Sequence, residues 1–332
     1  MVPAGIEGAD YRERTPAPED DEPGAVDAEP APELRSALID TAHHGERLDK
    51  VLVAVAPEFS RSHLQHLLEQ GHVTLDGQPA ITASRRVRAG QAVRLELVPT
   101  DESRAYRPQA MALSVLHEDE HLLVIDKPAG LVVHPAPGNW SGTLLNGLLA
   151  YHAGAAALPR AGIVHRLDKD TSGVMMVGKT LQAVTALVRD IAARDVHRRY
   201  LAIAHGVPRE TAFTVGAPIG RDPVSRVRMA VVKGGRPART DVEVLAAGDR
   251  VSALSCTLHT GRTHQIRVHL AWKGHPLVAD ALYGGKPLLG MQRQALHATE
   301  LRLAHPISRA PLAFDCPPPA DFAAAWQQLV AD

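Results

Sequence analysis

HRLDKDTSG, from His165 to Gly173, places a histidine, the cations Arg166 and Lys169 and the carboxylates Asp168 and Asp170 in one short run. The apolar pair Ile163 and Val164 precedes it, and the β-prone run Val174 to Val177 follows. This pattern predicts two strands joined by a charged loop. Such a loop carries carboxylates and cations to the lip of a scaffold, where chemistry tends to sit. Periodicity alone also allows a plainer reading, a solvated turn in which Asp170 caps its own backbone.

Around this loop, from residue 113 to 332, short β-prone runs dominate. They are Leu122 to Ile125, Leu131 to Val133, Val174 to Val177, Tyr200 to Ala204, Val242 to Leu245 and Ala253 to Leu258. Helices are expected over Leu144 to Tyr151, Leu181 to Arg194, Thr263 to Trp272 and Ala320 to Leu329, the third stopped by Gly274 and Pro276. Strands outnumber helices without alternating with them. That favours an α+β domain with a mixed, largely antiparallel sheet over a doubly wound one.

A smaller unit is expected over residues 44–99. Leu48, Val51, Leu52 and Val55 recur at helical spacing, and Pro57 ends that helix. Ser60 is placed to cap a second helix through Gln70, with Leu64, Leu67 and Leu68 on its inner face and Gly71 as its stop. Val73 to Leu75 followed by Asp76-Gly77 is a hairpin signal, and Val93 to Val98 closes the unit. Arg61 on the second helix and Arg85, Arg86 and Arg88 after the hairpin form either a solvated basic face or a phosphate-contacting surface. Residues 100–112 read as an exposed linker containing Pro108.

The chain has 332 residues, 45% hydrophobic and 22% charged, with a net charge of -1. That near-neutral total conceals an asymmetry. Residues 1–33 hold ten acidic residues and two arginines, leaving 34 basic against 27 acidic residues beyond them. The head, rich in Pro, Ala, Asp and Glu, buries too little apolar surface to fold and is expected to be disordered. The remaining body is basic enough to meet a polyanion. Cys256 and Cys316 offer neither a disulfide framework nor zinc spacing. No apolar run follows Met1 and none reaches a membrane span, so a cytoplasmic protein with no membrane partner is expected.

Two familiar patterns fail on physical grounds. GVMMVGKT, Gly173 to Thr180, fits the phosphate-loop expression, and Leu122 to Asp126 resembles the acidic magnesium strand that accompanies it. Yet Val174 to Val177 is apolar and suits a buried strand, not an exposed turn of N–H groups, and the supposed magnesium strand comes in the wrong order. HEDEH, His117 to His121, fits the metalloprotease expression, which needs both histidines on one helical face. Here the run passes directly into Leu122 to Ile125, as a turn entering a strand does.

HRLDKDTSG differs because it has companions. Lys127-Pro128 and Val133-His134-Pro135 lie upstream; Arg199-Tyr200-Leu201-Ala202, GRTHQIRVHL (Gly261 to Leu270), GHPLVADALYGG (Gly274 to Gly285) and Gln294-Ala295-Leu296-His297-Ala298 lie downstream. In this order they resemble the RluA family of bacterial pseudouridine synthases, in particular the branch that carries an S4 domain and acts on large-subunit ribosomal RNA. ERLDKVLVAV and SRSHLQHLLEQGHVTLDGQPA in the smaller unit resemble the S4 RNA-binding module.

The resemblance implies an enzyme that isomerises uridine to pseudouridine in 23S ribosomal RNA, with the target nucleotide flipped out of a stem-loop. It implies no metal, nucleotide or redox cofactor, since no atoms are gained and no electrons leave. Asp168 would be the catalytic carboxylate, either attacking the ribose carbon or removing a proton beside it. Arg267, one turn after His264, would pair with it, its charge opposing the desolvation that raises a carboxyl pKa. Tyr200 would pack against the uracil and help move the ring proton. Arg166 would enter the RNA as the nucleotide leaves the stack. Leu296 and Lys127 would shape the pocket, and Arg61, Arg85 and Arg86 would contact RNA. A monomer is expected. Other ribosomal or transfer RNA sites, a non-catalytic ribosome-assembly RNA binder and a nucleotide-binding enzyme are the competing readings; a nucleotide ligand would be betrayed by tight binding of ATP or GTP.

Overall fold

The computed structural model describes residues 33–98, 105–225 and 227–330, which fall into two compact units. Apart from Glu33, the acidic head expected to be disordered lies outside the described residues.

The first unit contains β1 (Glu33–Leu38), α1 (Leu48–Val55), α2 (Arg61–Glu69), β2 (Val73–Leu75), β3 (Gln78–Pro79) and β4 (Ala92–Leu97). Its antiparallel sheet runs β1-β4-β2-β3. Both helices form where the apolar spacing places them. The Ser60 hydroxyl accepts from the His63 N–H at 3.3 Å, one of the orphan donors at a helix start. Asp76 and Gly77 both take positive φ, 53° and 76°, as a two-residue hairpin turn requires. Leu48, Leu52, Leu64, Leu67 and Leu68 pack on Val73, Leu75, Val93 and Leu95 to make the core. Strand β1 lies upstream of the unit start read from the sequence. It pairs with the full length of β4, a partner some sixty residues away that no local signal announces.

The second unit begins with β5 (Ser114–Glu118), β6 (Leu122–Lys127), α3 (Leu144–Tyr151), β7 (Ser172–Gly178), α4 (Leu181–Ala193) and β8 (His197–His205). It continues with β9 (Ala212–Val215), β10 (Ile219–Arg221), β11 (Met229–Val231), β12 (Thr240–Ala247) and β13 (Val251–Leu258). It ends with α5 (Gln265–Trp272), β14 (Leu296–Ala304), β15 (Pro311–Asp315) and α6 (Ala320–Val330). A nine-stranded sheet runs β5-β6-β7-β14-β8-β13-β12-β9, with β15 on β14, while β10 and β11 form a separate hairpin. Only β7 and β14 pair in parallel, so the sheet is mixed and largely antiparallel, as expected. Gly173 sits at that parallel join with φ of 115°. A Cβ there would lie 2.1 Å from the Ala298 carbonyl oxygen, so no other residue fits. Among the described residues, no helix is long and apolar enough to cross a membrane.

Several expectations need correction. Ile163 and Val164 do not form a strand: Ile163 makes one isolated bridge to Val177. The chain reaches it through Arg160, Ala161 and Gly162, all at positive φ, a turn that no strand can continue. Leu131 to Val133 is not a strand either. The carbonyls of Val132 and Val133 accept the N–H groups of Leu144 and Leu145, closing the first turn of α3. The linker expected to be exposed lies partly outside the described residues. Its later portion is held down, because the Asn146 side-chain amide donates to the carbonyls of Ala105 and Arg107, and Ala105 is buried. His264 stands just before α5 at φ 56°, not on the helix.

Both misleading motifs are accounted for. The GVMMVG run is a wholly buried strand, β7. In HEDEH, the Asp119 carboxylate accepts the N–H groups of His121 and Leu122 as the chain turns from β5 into β6. His117 and His305 each lie against that carboxylate rather than on one helical face.

Candidate active site

The His165 to Gly173 loop is fixed from behind. The Lys127 ammonium, fully buried at the end of β6, donates to the carbonyls of Pro128, Leu131 and Lys169 at 2.7, 2.9 and 3.0 Å. Arg293 donates to the Asp170 carbonyl, and the Gln294 amide reaches the Thr171 hydroxyl. The His165 Nε2 accepts the Met176 N–H at 3.0 Å, which puts its proton on Nδ1. Burial, with the nearby Arg198 charge, pushes the His165 pKa down to about 3 and keeps the ring neutral.

With the loop so held, Asp168 points into an open cleft of about 790 Å³. The Arg267 Nη1 donates to its Oδ2 at 3.0 Å from the first turns of α5. Arg267 is itself clamped: Nε and Nη2 donate to the two carboxylate oxygens of Asp280 at 2.7 and 2.9 Å. Its guanidinium also lies 5.1 Å from the centre of the Tyr283 ring. Burial alone would weaken its charge, but Asp280 and Asp168 outweigh that and hold its pKa above the ordinary arginine range. The cation therefore serves two carboxylates, one buried behind it and one in the cleft.

Tyr200 lines the same cleft from β8 and is 5% exposed. Burial raises its phenol pKa to about 12, so the hydroxyl stays protonated at neutral pH. Leu296, opening β14, completes the apolar wall. The rim is cationic: Arg160, Arg166, Arg194, Arg198, Arg236 and Arg262 all line the cleft, and Asp168 is the carboxylate that faces them. Arg166 is exposed there, beside the loop it belongs to.

The structure thus brings Asp168, Arg267, Tyr200, Leu296 and Arg166 together around one hollow. It does not bring Lys127 into it. That residue, expected to shape the pocket floor, has its ammonium turned inward onto three carbonyls and acts on the loop from behind. Burial lowers its pKa to about 8 against the pull of Asp170 and Asp168. Lys127→Met would leave those carbonyls without a donor, and we expect a loss of about 3 kcal/mol in urea unfolding, since each orphaned buried acceptor costs about 1–3 kcal/mol.

Residues with no assigned role in the sequence reading also belong here. Asp280 is 1% exposed and lies in the GHPLVADALYGG segment, where nothing periodic marks it. The Tyr283 hydroxyl accepts the Met229 N–H and so can donate to His264 Nδ1 at 2.8 Å. That leaves the His264 Nε2 directed at Asp168 Oδ1, 4.0 Å away. Burial lowers the His264 pKa, the neighbouring Asp168 opposing it.

In the first unit, Arg61, Arg85 and Arg86 gather near the start of α1. Arg61 and Arg47 both bond the buried Asp49 carboxylate, Arg86 pairs in register with Arg47 and donates to the Gly45 carbonyl, and the Arg85 carbonyl accepts the Leu48 N–H. The three side chains remain exposed, although Asp49 offsets part of the Arg61 charge. Among the described residues, no group of His, Cys, Asp and Glu could hold a metal ion.

Comparison with known proteins gives the family. A family model described as RNA pseudouridylate synthase matches residues 121–272, and one described as the S4 domain matches residues 46–93. The chain is 46% identical to the ribosomal large subunit pseudouridine synthase D of Xanthomonas campestris pv. campestris, over 90% of this chain and 93% of that protein. It is 41% identical to the enzyme of the same name from Pasteurella multocida, over 90% of this chain and 95% of that one. Among solved structures it resembles human RNA pseudouridylate synthase domain containing 4, with a TM-score of 0.52 and 25% identity, covering 65% of this chain and 92% of that one. A carboxylate cleft walled by arginines, carried on this sheet and matched along this length of sequence, places the chain in the RNA pseudouridylate synthase family, isomerases that act on uridine in RNA.

Proposed function

We propose that this protein converts uridine to pseudouridine in the RNA of the large ribosomal subunit. The observation that carries this reading is the convergence of Asp168, Arg267 and Tyr200, from a loop, a helix and a strand, on one cleft rimmed by arginines. The relatives named above, each described as a ribosomal large subunit enzyme, support the choice of RNA.

In this mechanism the target uridine leaves its stack and enters the cleft. Flipping costs a few kcal/mol, which Arg166 offsets from the rim by filling the vacated space with a cation. The Asp168 carboxylate acts on the ribose while Arg267 holds its orientation. The N1–C1′ bond breaks, the uracil turns against Tyr200 and Leu296, and a C5–C1′ bond forms. The C5 proton departs and N1 takes one up, so the product is an isomer of the substrate and no electrons are exchanged. The cleft volume suits a single flipped nucleotide. Arg61, Arg85 and Arg86 contact phosphates of folded RNA through the first unit, an S4 module that includes β1 and runs to β4. We propose that the protein acts as a monomer in the cytoplasm.

The test is a map of pseudouridines in ribosomal and transfer RNA from a strain lacking the protein. We expect specific pseudouridines of large-subunit RNA to vanish and to return when the gene is restored. Loss confined to transfer RNA, with large-subunit RNA unchanged, would overturn the assignment of substrate.

A further inference from the structure

Arg198 is a charge without a counter-ion among the described residues. It lies on β8 and is 5% exposed, two residues before Tyr200 and on the same face of the strand. Its Nε is buried and has no hydrogen-bond partner, and no carboxylate among the described residues pairs with it. A buried guanidinium left unpaired costs several kcal/mol, so a fold keeps one where a ligand supplies the missing anion. Arg267 shows the contrast, similarly buried but paired with Asp168 and Asp280.

The surroundings of Arg198 define what that anion is. Its Nη1 end lies beside Gly261: a Cβ built there would stand 3.2 Å from it, and nothing else lies within 4 Å of that Cβ. Gly261 is exposed, so the guanidinium tip has an open approach although its stem is buried. The next residue, Arg262, lines the same cleft, anchored through Nε to the Pro237 carbonyl and close enough to Arg236 to feel its charge. This stretch of wall therefore presents several cations and a glycine. A neutral uracil offers carbonyl oxygens but no charge to compensate a buried cation; a phosphodiester offers both.

We propose that Arg198, with the open backbone at Gly261 beneath it, binds a phosphate of the RNA chain next to the flipped nucleotide and so sets how deep that nucleotide enters against Tyr200. This rests on the reading of the cleft as an RNA site, and adds a substrate-positioning residue to it.

The test measures binding and turnover separately, using the full chain and an unmodified transcript of large-subunit ribosomal RNA. Arg198→Gln is expected to weaken affinity about tenfold and to flatten the dependence of log affinity on log salt by about one phosphate contact. The single-turnover rate of the saturated complex should fall about tenfold, because the nucleotide no longer seats at its depth against Tyr200, and Arg198→Lys should recover most of both affinity and rate. If Gln at this position prevents folding, Gly261→Ala serves instead, since its methyl group crowds Nη1; it should weaken binding about threefold. Unchanged affinity and salt slope in these variants would overturn the proposal. So would unchanged affinity with a collapsed rate, which would assign Arg198 to the reacting base. A wild-type protein that binds with this Arg198-dependent slope but forms no pseudouridine would refute the enzyme reading while leaving the phosphate contact standing.

Discussion

Asp168→Asn will reduce pseudouridine formation by about 10⁴-fold or more while leaving RNA affinity within about tenfold of wild type. The asymmetry follows from where the two free energies arise. On the proposed reading, binding comes from phosphate contacts spread over the cationic rim and the arginines near α1, none of which the substitution touches. Turnover, on the same reading, depends on one carboxylate acting on the ribose, and an amide is neither a nucleophile nor a base there. The fold should survive, because the Asn carbonyl can still accept the Arg267 N–H and Arg267 keeps both bonds to Asp280. Single-turnover kinetics with a filter-binding titration would measure both quantities. Retained turnover would show that another group performs the chemistry.

Asp280→Asn should damage both stability and rate, although the residue does not face the cleft. Its carboxylate holds Arg267 by two hydrogen bonds and is almost completely buried. Removing its charge leaves a buried guanidinium with Asp168 as its remaining carboxylate. We expect a loss of about 3–5 kcal/mol in urea unfolding, the usual result of breaking one side of a buried pair. The guanidinium would then be drawn toward Asp168, tightening its hold on the carboxylate that must react. The kcat of the folded fraction should fall about 10²-fold, as for other residues that orient a reacting group, with KM within about threefold. A purely structural residue would lower the folded fraction and leave that kcat intact.

Legibility in the sequence followed the range of each interaction. The first unit could be read almost element by element, because its signals are local: Ser60 caps the helix three residues from its donor, and Asp76-Gly77 turns its own hairpin. The charged loop was also visible, since its cations and carboxylates are neighbours in the chain. Its support was not. Lys127 reads as a polar residue after a strand, and only the folded chain brings the Lys169 carbonyl to its ammonium. Strand β14 shows in the sequence only as the Gln294 to Ala298 motif, because its partners β7 and β8 lie more than ninety residues upstream. Asp280 and Arg198 left no trace for similar reasons. One lies in a loop without periodicity, and the other passes as one more cation in a basic strand until its lack of a partner is seen. Leu131 to Val133 failed in the opposite direction: its β-prone side chains are buried or half-buried, but its carbonyls are taken by α3 before a strand can use them.

In the proposed mechanism Asp168, held by Arg267 and faced by Tyr200, moves the ribose attachment of uracil from N1 to C5. That move expels the hydrogen at C5. The most direct measurement is therefore tritium release to water from a large-subunit ribosomal RNA transcript made with uridine labelled at C5. The wild-type protein should release about one equivalent for each uridine it converts, and Asp168→Asn should release none above background. No release by the wild-type protein, or equal release by the variant, would rule this mechanism out.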